Sequence, residues 1–214
     1  MHTALITLLL GIGVALGACS QIPVTTDLAE GAVQGFVDQE VEHYLGVPYA
    51  RPPLGELRWR PPVAPLVRQD TLQASELPPR CTQFIPVGNR LSGSEDCLYL
   101  NIWTPSEKNG EPLPVMVWFH GGGFILGEGA YRNDDGRELA KQGVVVVSVN
   151  YRLGVFGFMA HPALAAENPE HPSSGNYGIE DQTAALRWVR ENISAFGGDP
   201  DRVTIFGQSA GAVS

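Results

Sequence analysis

The chain has 214 residues, 43% of them hydrophobic and 17% charged, the composition and length of one ordinary globular domain. Its formal charge is −9 and it holds only two lysines. Clustered Lys and Arg, which release counterions from a phosphate backbone, are missing, and this argues against a nucleic-acid partner.

Residues 4–18 form an apolar run too short to cross a bilayer as a helix and placed like the core of a signal peptide. A buried N-terminal helix is disfavoured, because Gly11, Gly13 and Gly17 would weaken its interior. The run ends in Leu16-Gly17-Ala18-Cys19-Ser20, which resembles the lipobox of bacterial lipoproteins, where the cysteine becomes the lipidated first residue. Ordinary secretory cleavage after Ala18 would prefer a small residue where Leu16 stands. The leading Met1-His2-Thr3 departs from both patterns, having no Lys or Arg. The expected layout is a signal peptide over 1–18, a polar tether over 19–30 and one domain over 31–214, exported and either anchored in the cell envelope through Cys19 or periplasmic or secreted. With Cys19 so used, Cys81 and Cys97 are left as a pair, and an exported compartment permits a disulfide between them. Two unconnected small hydrophobes are the alternative. A bridge closing a loop of this length would contribute about 3 kcal/mol.

Residues 33–63 carry short strand-like pieces broken by Gly46-Val47-Pro48-Tyr49 and by two Arg-Pro-Pro steps. Aromatics and Leu interleave with those prolines, so a packed, rigid loop is expected rather than a proline-rich ligand. From Leu98 the pattern alternates between strands and helices. Residues 99–103, 115–119 and 144–149 read as strands, and 137–142 as a short helix stopped by Gly143. The continuous apolar runs at 115–119 and 144–149 imply burial on both faces, as in a mostly parallel sheet covered by helices. Residues 161–176 read as a loop, whose His161 and His171 lack the spacing of a metal site. The clearest helix covers 180–196, with Ala185, Trp188, Val189, Ile193 and Phe196 on one stripe and Gly197 closing it. Asn192-Ile193-Ser194 is a glycosylation sequon by pattern only.

Two glycine motifs carry chemistry. A strand over 203–206 turns into a helix at Gly207-Gln208-Ser209-Ala210-Gly211, a turn that projects the serine hydroxyl toward an approaching carbonyl. His120-Gly121-Gly122-Gly123-Phe124 follows the strand ending at Phe119, and its unshielded amides suit a developing oxyanion. A phosphate-cradling loop would continue with Gly-Lys-Ser/Thr, but Phe124-Ile125 stands there instead. Either motif alone is weak; both at strand ends, in this chain order, are specific.

With these residues the chain resembles the N-terminal part of the type-B carboxylesterases, the α/β-hydrolase branch that includes the cholinesterases. Glu95-Asp96-Cys97-Leu98-Tyr99-Leu100-Asn101-Ile102-Trp103-Thr104-Pro105 is similar to one family signature, and the stretch from Phe196 to Gly211 to the other. Residues 46–59 and 150–158 are similar to further family stretches, so the resemblance covers roughly 31–214. It implies an α/β-hydrolase fold with a mostly parallel central sheet flanked by helices, incomplete at the C-terminus. Ser209 would be the nucleophile of an ester hydrolase, with Gly122, Gly123 and Ala210 donating to the oxyanion and Cys81–Cys97 as a loop-closing disulfide. No metal or cofactor is implied, because a triad and an oxyanion hole suffice. In this fold the acid and the histidine follow the serine. Only five residues follow Ser209 and all five histidines precede it, so a partial, inactive sequence of a longer esterase is expected. His120 is the nearest substitute base, yet shaping the glycine loop is its expected role. Two departures narrow the substrate. Gln208 stands where many relatives carry Glu, and residues 82–96 hold no tryptophan to meet a choline cation. A neutral carboxylic ester is expected. A non-catalytic binding protein on the same fold is the alternative, against which an intact Ser209 counts.

Overall fold

The computed structural model describes residues 21–130, 135–167 and 169–214. The signal peptide expected over 1–18 and the anchor candidate Cys19 lie outside the described residues. The strands are β1 (Ile22–Thr26), β2 (Val33–Asp38), β3 (Val41–Pro48), β4 (Leu72–Gln73), β5 (Gln83–Ile85), β6 (Arg90–Ser92), β7 (Tyr99–Pro105), β8 (Leu113–Phe119), β9 (Val145–Val149) and β10 (Gly198–Gly207). The helices are α1 (Arg137–Ala140), α2 (Gly154–Phe158), α3 (Pro162–Ala166), α4 (Tyr177–Asn192) and α5 (Ala210–Val213).

One sheet runs β1-β2-β3-β7-β9-β8-β10, with β4 beside β2, while β5 and β6 pair as a separate hairpin. The short links joining β1, β2 and β3 allow antiparallel pairing only, and that half of the sheet is antiparallel through to β9. Helical crossovers join β8, β9 and β10, which are parallel. The α/β architecture is as expected, but the sheet is mixed, with parallel pairing limited to these three strands and the short β2–β4 contact. From β8 the chain steps one way to β9, then back past β8 to β10. Right-handed crossovers in opposite directions fall on opposite faces, and α1 and α4 do so. Trp103, Val146 and Ala140 pack on the α1 face; Leu100, Ile102, Val115, Val117 and Val147 pack on the face that α4 covers with Ala185, Trp188, Val189 and Phe196. Every residue of β9 is buried, which is why its sequence is apolar except for Ser148, whose hydroxyl accepts from Asn101 Nδ2 at 3.1 Å.

Two expectations are corrected. Residues 22–26 of the supposed tether form edge strand β1, because their alternation brings Val24 onto the core and their backbone pairs with β2 from Ile22↔Val37 to Thr26↔Val33. The loop over 161–176 contains α3, started by Pro162 in its first turn and by the His161 side chain accepting from the Ala163 amide at 3.1 Å. The helix expected over 180–196 begins earlier, at Tyr177, and its last four residues tighten into a 3₁₀ turn closed by left-handed Gly197. Asn192 is buried, its amide donating to the Trp188 carbonyl, so the sequon faces inward.

The signature around Trp103 is explained by local demands. β3 bulges between Tyr44 and Val47 opposite β7, and Asn101 Oδ1 accepts from the freed Gly46 amide at 3.0 Å. Glu95 pairs with Arg58 through two hydrogen bonds, and Asp96 accepts from the Tyr99 hydroxyl at 2.7 Å. Cys81 and Cys97 are joined as a disulfide with their Cα atoms 5.0 Å apart, closing a loop around the β5–β6 hairpin.

Candidate active site

Adjacent parallel strands bring the two glycine motifs together. Gly207, the last residue of β10, lies opposite Phe119, the last residue of β8. The two loops therefore leave the sheet side by side at its carboxyl end, beside the strand where the direction of winding reverses. Open α/β sheets bind their ligands at such a switch point.

Ser209 sits on the turn between β10 and α5 with φ 52° and ψ −120°. A non-glycine residue is strained there. Gly207 and Gly211 are required by close approach: a Cβ on Gly211 would lie 2.5 Å from the His120 carbonyl oxygen, and one on Gly207 would run into the backbone of Gly211. Gly121 abuts the serine itself, since a Cβ there would be 2.6 Å from the Gln208 carbonyl oxygen and 3.1 Å from Ser209 Cβ. Gly122 and Gly123 have φ of 112° and 62°, which turn their amides out of the strand direction. Among the described residues, the amides of Gly122, Gly123 and Ala210 donate to no protein group, and none hydrogen-bonds the Ser209 hydroxyl. Ser209, Gly121, Gly122 and Gln208 line one cavity of about 770 Å³, whose walls include Trp118, Leu126 and Phe206. Glu128 also faces this cavity; burial pushes its carboxyl up, opposed by Arg80 at 2.9 Å.

His120 is fixed rather than free. Its Nδ1 meets the Gly121 carbonyl at 2.8 Å, and its ring stacks on Tyr151 with centroids 4.3 Å apart. The Tyr151 hydroxyl, pushed up to about 12 by burial, donates to the His120 carbonyl at 2.6 Å. Tyr151 was not singled out from sequence, and its only signal is its place in the 150–158 stretch. Gln83, likewise unforeseen, reaches the far end of the glycine loop from the disulfide loop.

Burial holds the imidazoles of His120 and His43 below the usual value near 6.5, with Arg137 adding to the effect at His43. Both are neutral in the fold, whereas the unfolded chain takes up their protons as pH drops past about 6.5. Their contribution to stability is complete above that pH and is lost below it, through the lowered folded values. We therefore predict that the denaturant midpoint is flat between pH 8 and 7 and falls toward pH 5.5. His43→Phe, which keeps the stack on Phe36, should reduce the fall.

The carboxylesterase family model matches residues 20–214. The chain belongs to the carboxylesterase family. It is 53% identical over 185 residues to a fumonisin B1 esterase of Sphingopyxis macrogoltabida, covering 85% of this chain and 34% of that protein. It is 47% identical over 190 residues to a para-nitrobenzyl esterase of Bacillus subtilis, covering 86% and 38% respectively. A solved PNB esterase structure superposes with a TM-score of 0.78 at 47% identity, over 87% of this chain and 38% of the other. The chain thus spans little more than a third of the length of these carboxylesterases. Over that span the fold is that of the α/β-hydrolases.

Proposed function

We propose that this carboxylesterase-family site hydrolyses neutral carboxylic esters through an acyl-enzyme. The observation that carries the reading is the pairing of Gly207 with Phe119, which sets a strained serine against a glycine loop whose Gly122 and Gly123 amides have no acceptor among the described residues. Ser209 Oγ attacks the ester carbonyl as its proton passes to the triad histidine, which returns it to the leaving alkoxide. The oxyanion that forms takes the N–H groups of Gly122, Gly123 and Ala210. Such donors strengthen as charge develops, and losing one costs about 2.7–4 kcal/mol. The alkoxide leaves with a proton, and water then cleaves the acyl-serine. The triad acid and histidine follow the nucleophile in chain order in this fold.

The neutral substrate rests on the walls. Gln208 brings no charge next to Ser209, Trp118, Leu126 and Phe206 are apolar, and the carboxylates of Glu128 and Asp135 are paired with Arg80 and Arg137. The Cys81–Cys97 bridge supports an oxidising compartment, in keeping with export and anchoring through Cys19.

A fluorescent fluorophosphonate tests the reading in the whole protein. We expect stoichiometric labelling that Ser209→Ala abolishes, together with hydrolysis of p-nitrophenyl acetate. No labelling of either protein would leave a non-catalytic binding protein as the better account, and equal labelling of the two would move the nucleophile away from Ser209.

A further inference from the structure

Gln83 lies two residues after Cys81 in β5 and is only 5% exposed, although the hairpin around it is largely open to solvent. Its amide is used at both ends on one target. Oε1 accepts from the Gly127 amide at 2.9 Å, while Nε2 donates to the Gly127 carbonyl at 2.8 Å and to the Cys81 carbonyl at 2.9 Å. The side chain pairs with Gly127 as a strand neighbour would, and it also holds the backbone carbonyl of the bridged Cys81.

Gly127 is the far anchor of the glycine loop. At φ 125° it packs so tightly that a Cβ would lie 2.5 Å from the Gly121 carbonyl oxygen and 2.7 Å from His120 Cε1. Its neighbour Leu126 donates its amide to the Gly122 carbonyl at 3.2 Å. A continuous chain of contacts therefore runs from Cys81–Cys97 through Gln83 and Gly127 to Gly121 and Gly122. Apolar packing does not supply this fastening, because Phe84, Val87 and Leu91 of the hairpin are 49%, 86% and 73% exposed.

We propose that Gln83 is a positioning residue that clamps the disulfide loop to the Gly121–Gly127 loop and so holds the amides of Gly122 and Gly123 where they meet the oxyanion. The catalytic part of this rests on the esterase reading above; the clamp itself does not. A glutamine is needed because it accepts and donates at one reach. Methionine has its shape without either function, and asparagine is one methylene short.

The test uses the whole protein with Gln83→Met, read by hydrogen–deuterium exchange and by p-nitrophenyl acetate kinetics. Exchange in peptides spanning 121–130 should accelerate at least about tenfold, as expected when a local opening loses its closing contacts, while peptides from β8 and β9 keep their rates. Turnover should fall about ten- to a hundredfold, short of outright removal of an oxyanion donor, with KM moving less than kcat because Gln83 itself lines no part of the cavity. Unchanged exchange in a folded variant overturns the proposal. So does faster exchange with an unchanged kcat. Should Gln83→Met fail to fold, Gln83→Asn is read by the same two criteria. If the unaltered protein turns over no ester, the esterase reading fails and exchange alone decides the clamp.

Discussion

Ser209→Gly should lose essentially all ester turnover, about a million-fold by analogy with loss of a serine nucleophile, and yet unfold later than the parent. Serine holds φ 52° and ψ −120° at this turn, a conformation costing of the order of 1–3 kcal/mol for a residue with a Cβ. Glycine adopts it without that cost, less the entropy it loses on folding. Ser209→Ala separates the two effects: it lacks the hydroxyl but keeps the Cβ, so turnover should vanish with the denaturant midpoint unmoved. The pair of variants ties strain to function, because the same geometry that lifts Oγ off the sheet destabilises the turn. A Ser209→Gly protein less stable than Ser209→Ala would show that the turn stores no strain.

Asp181→Ala should destabilise the fold by about 3–5 kcal/mol, the usual effect of stranding one member of a buried ion pair. Asp181, fully buried on α4, receives the Arg152 backbone amide at 3.0 Å and the guanidinium at 2.8 and 2.7 Å. Burial pushes its carboxyl up, and Arg152 opposes this. Removing the carboxylate leaves a guanidinium that is 3% exposed without its partner. Calorimetry of the whole protein should show a correspondingly lower midpoint. Combining Asp181→Leu with Arg152→Met should recover part of the loss, since no charge is then buried alone. The pair also steadies the site, because Tyr151, next to Arg152, holds the His120 carbonyl and ring. Asp181→Ala protein that still folds should therefore show slower turnover as well as lower stability.

What was legible in the chain was local. β8 and β9 could be read because their runs are apolar save for Ser148, and α4 because its stripe repeats at the helical period; burial on both faces holds for β9, whereas β8 alternates between buried and partly exposed residues. The serine turn and the glycine loop could be read because their backbone geometry admits glycine and little else at set positions. What escaped depends on partners distant in sequence. β1 is a solvent-facing edge strand with a polar alternation, visible only once β2 is there to pair with it. Gln83 has no periodicity to reveal it; its role exists only because the disulfide carries it to Gly127, 44 residues onward. α3 is different, since Pro162 after a capping His161 was a usable start signal hidden by the surrounding turn residues.

Catalysis by this site requires the serine hydroxyl and the glycine-loop amides to face one carbonyl oxygen. A crystal structure of the fluorophosphonate adduct of the whole protein measures this directly. Phosphorus should be bonded to Ser209 Oγ, with its non-bridging oxygen about 2.7–3.1 Å from the amides of Gly122, Gly123 and Ala210. An adduct whose oxygen points away from residues 122–123, or one bonded to a different residue, would contradict it.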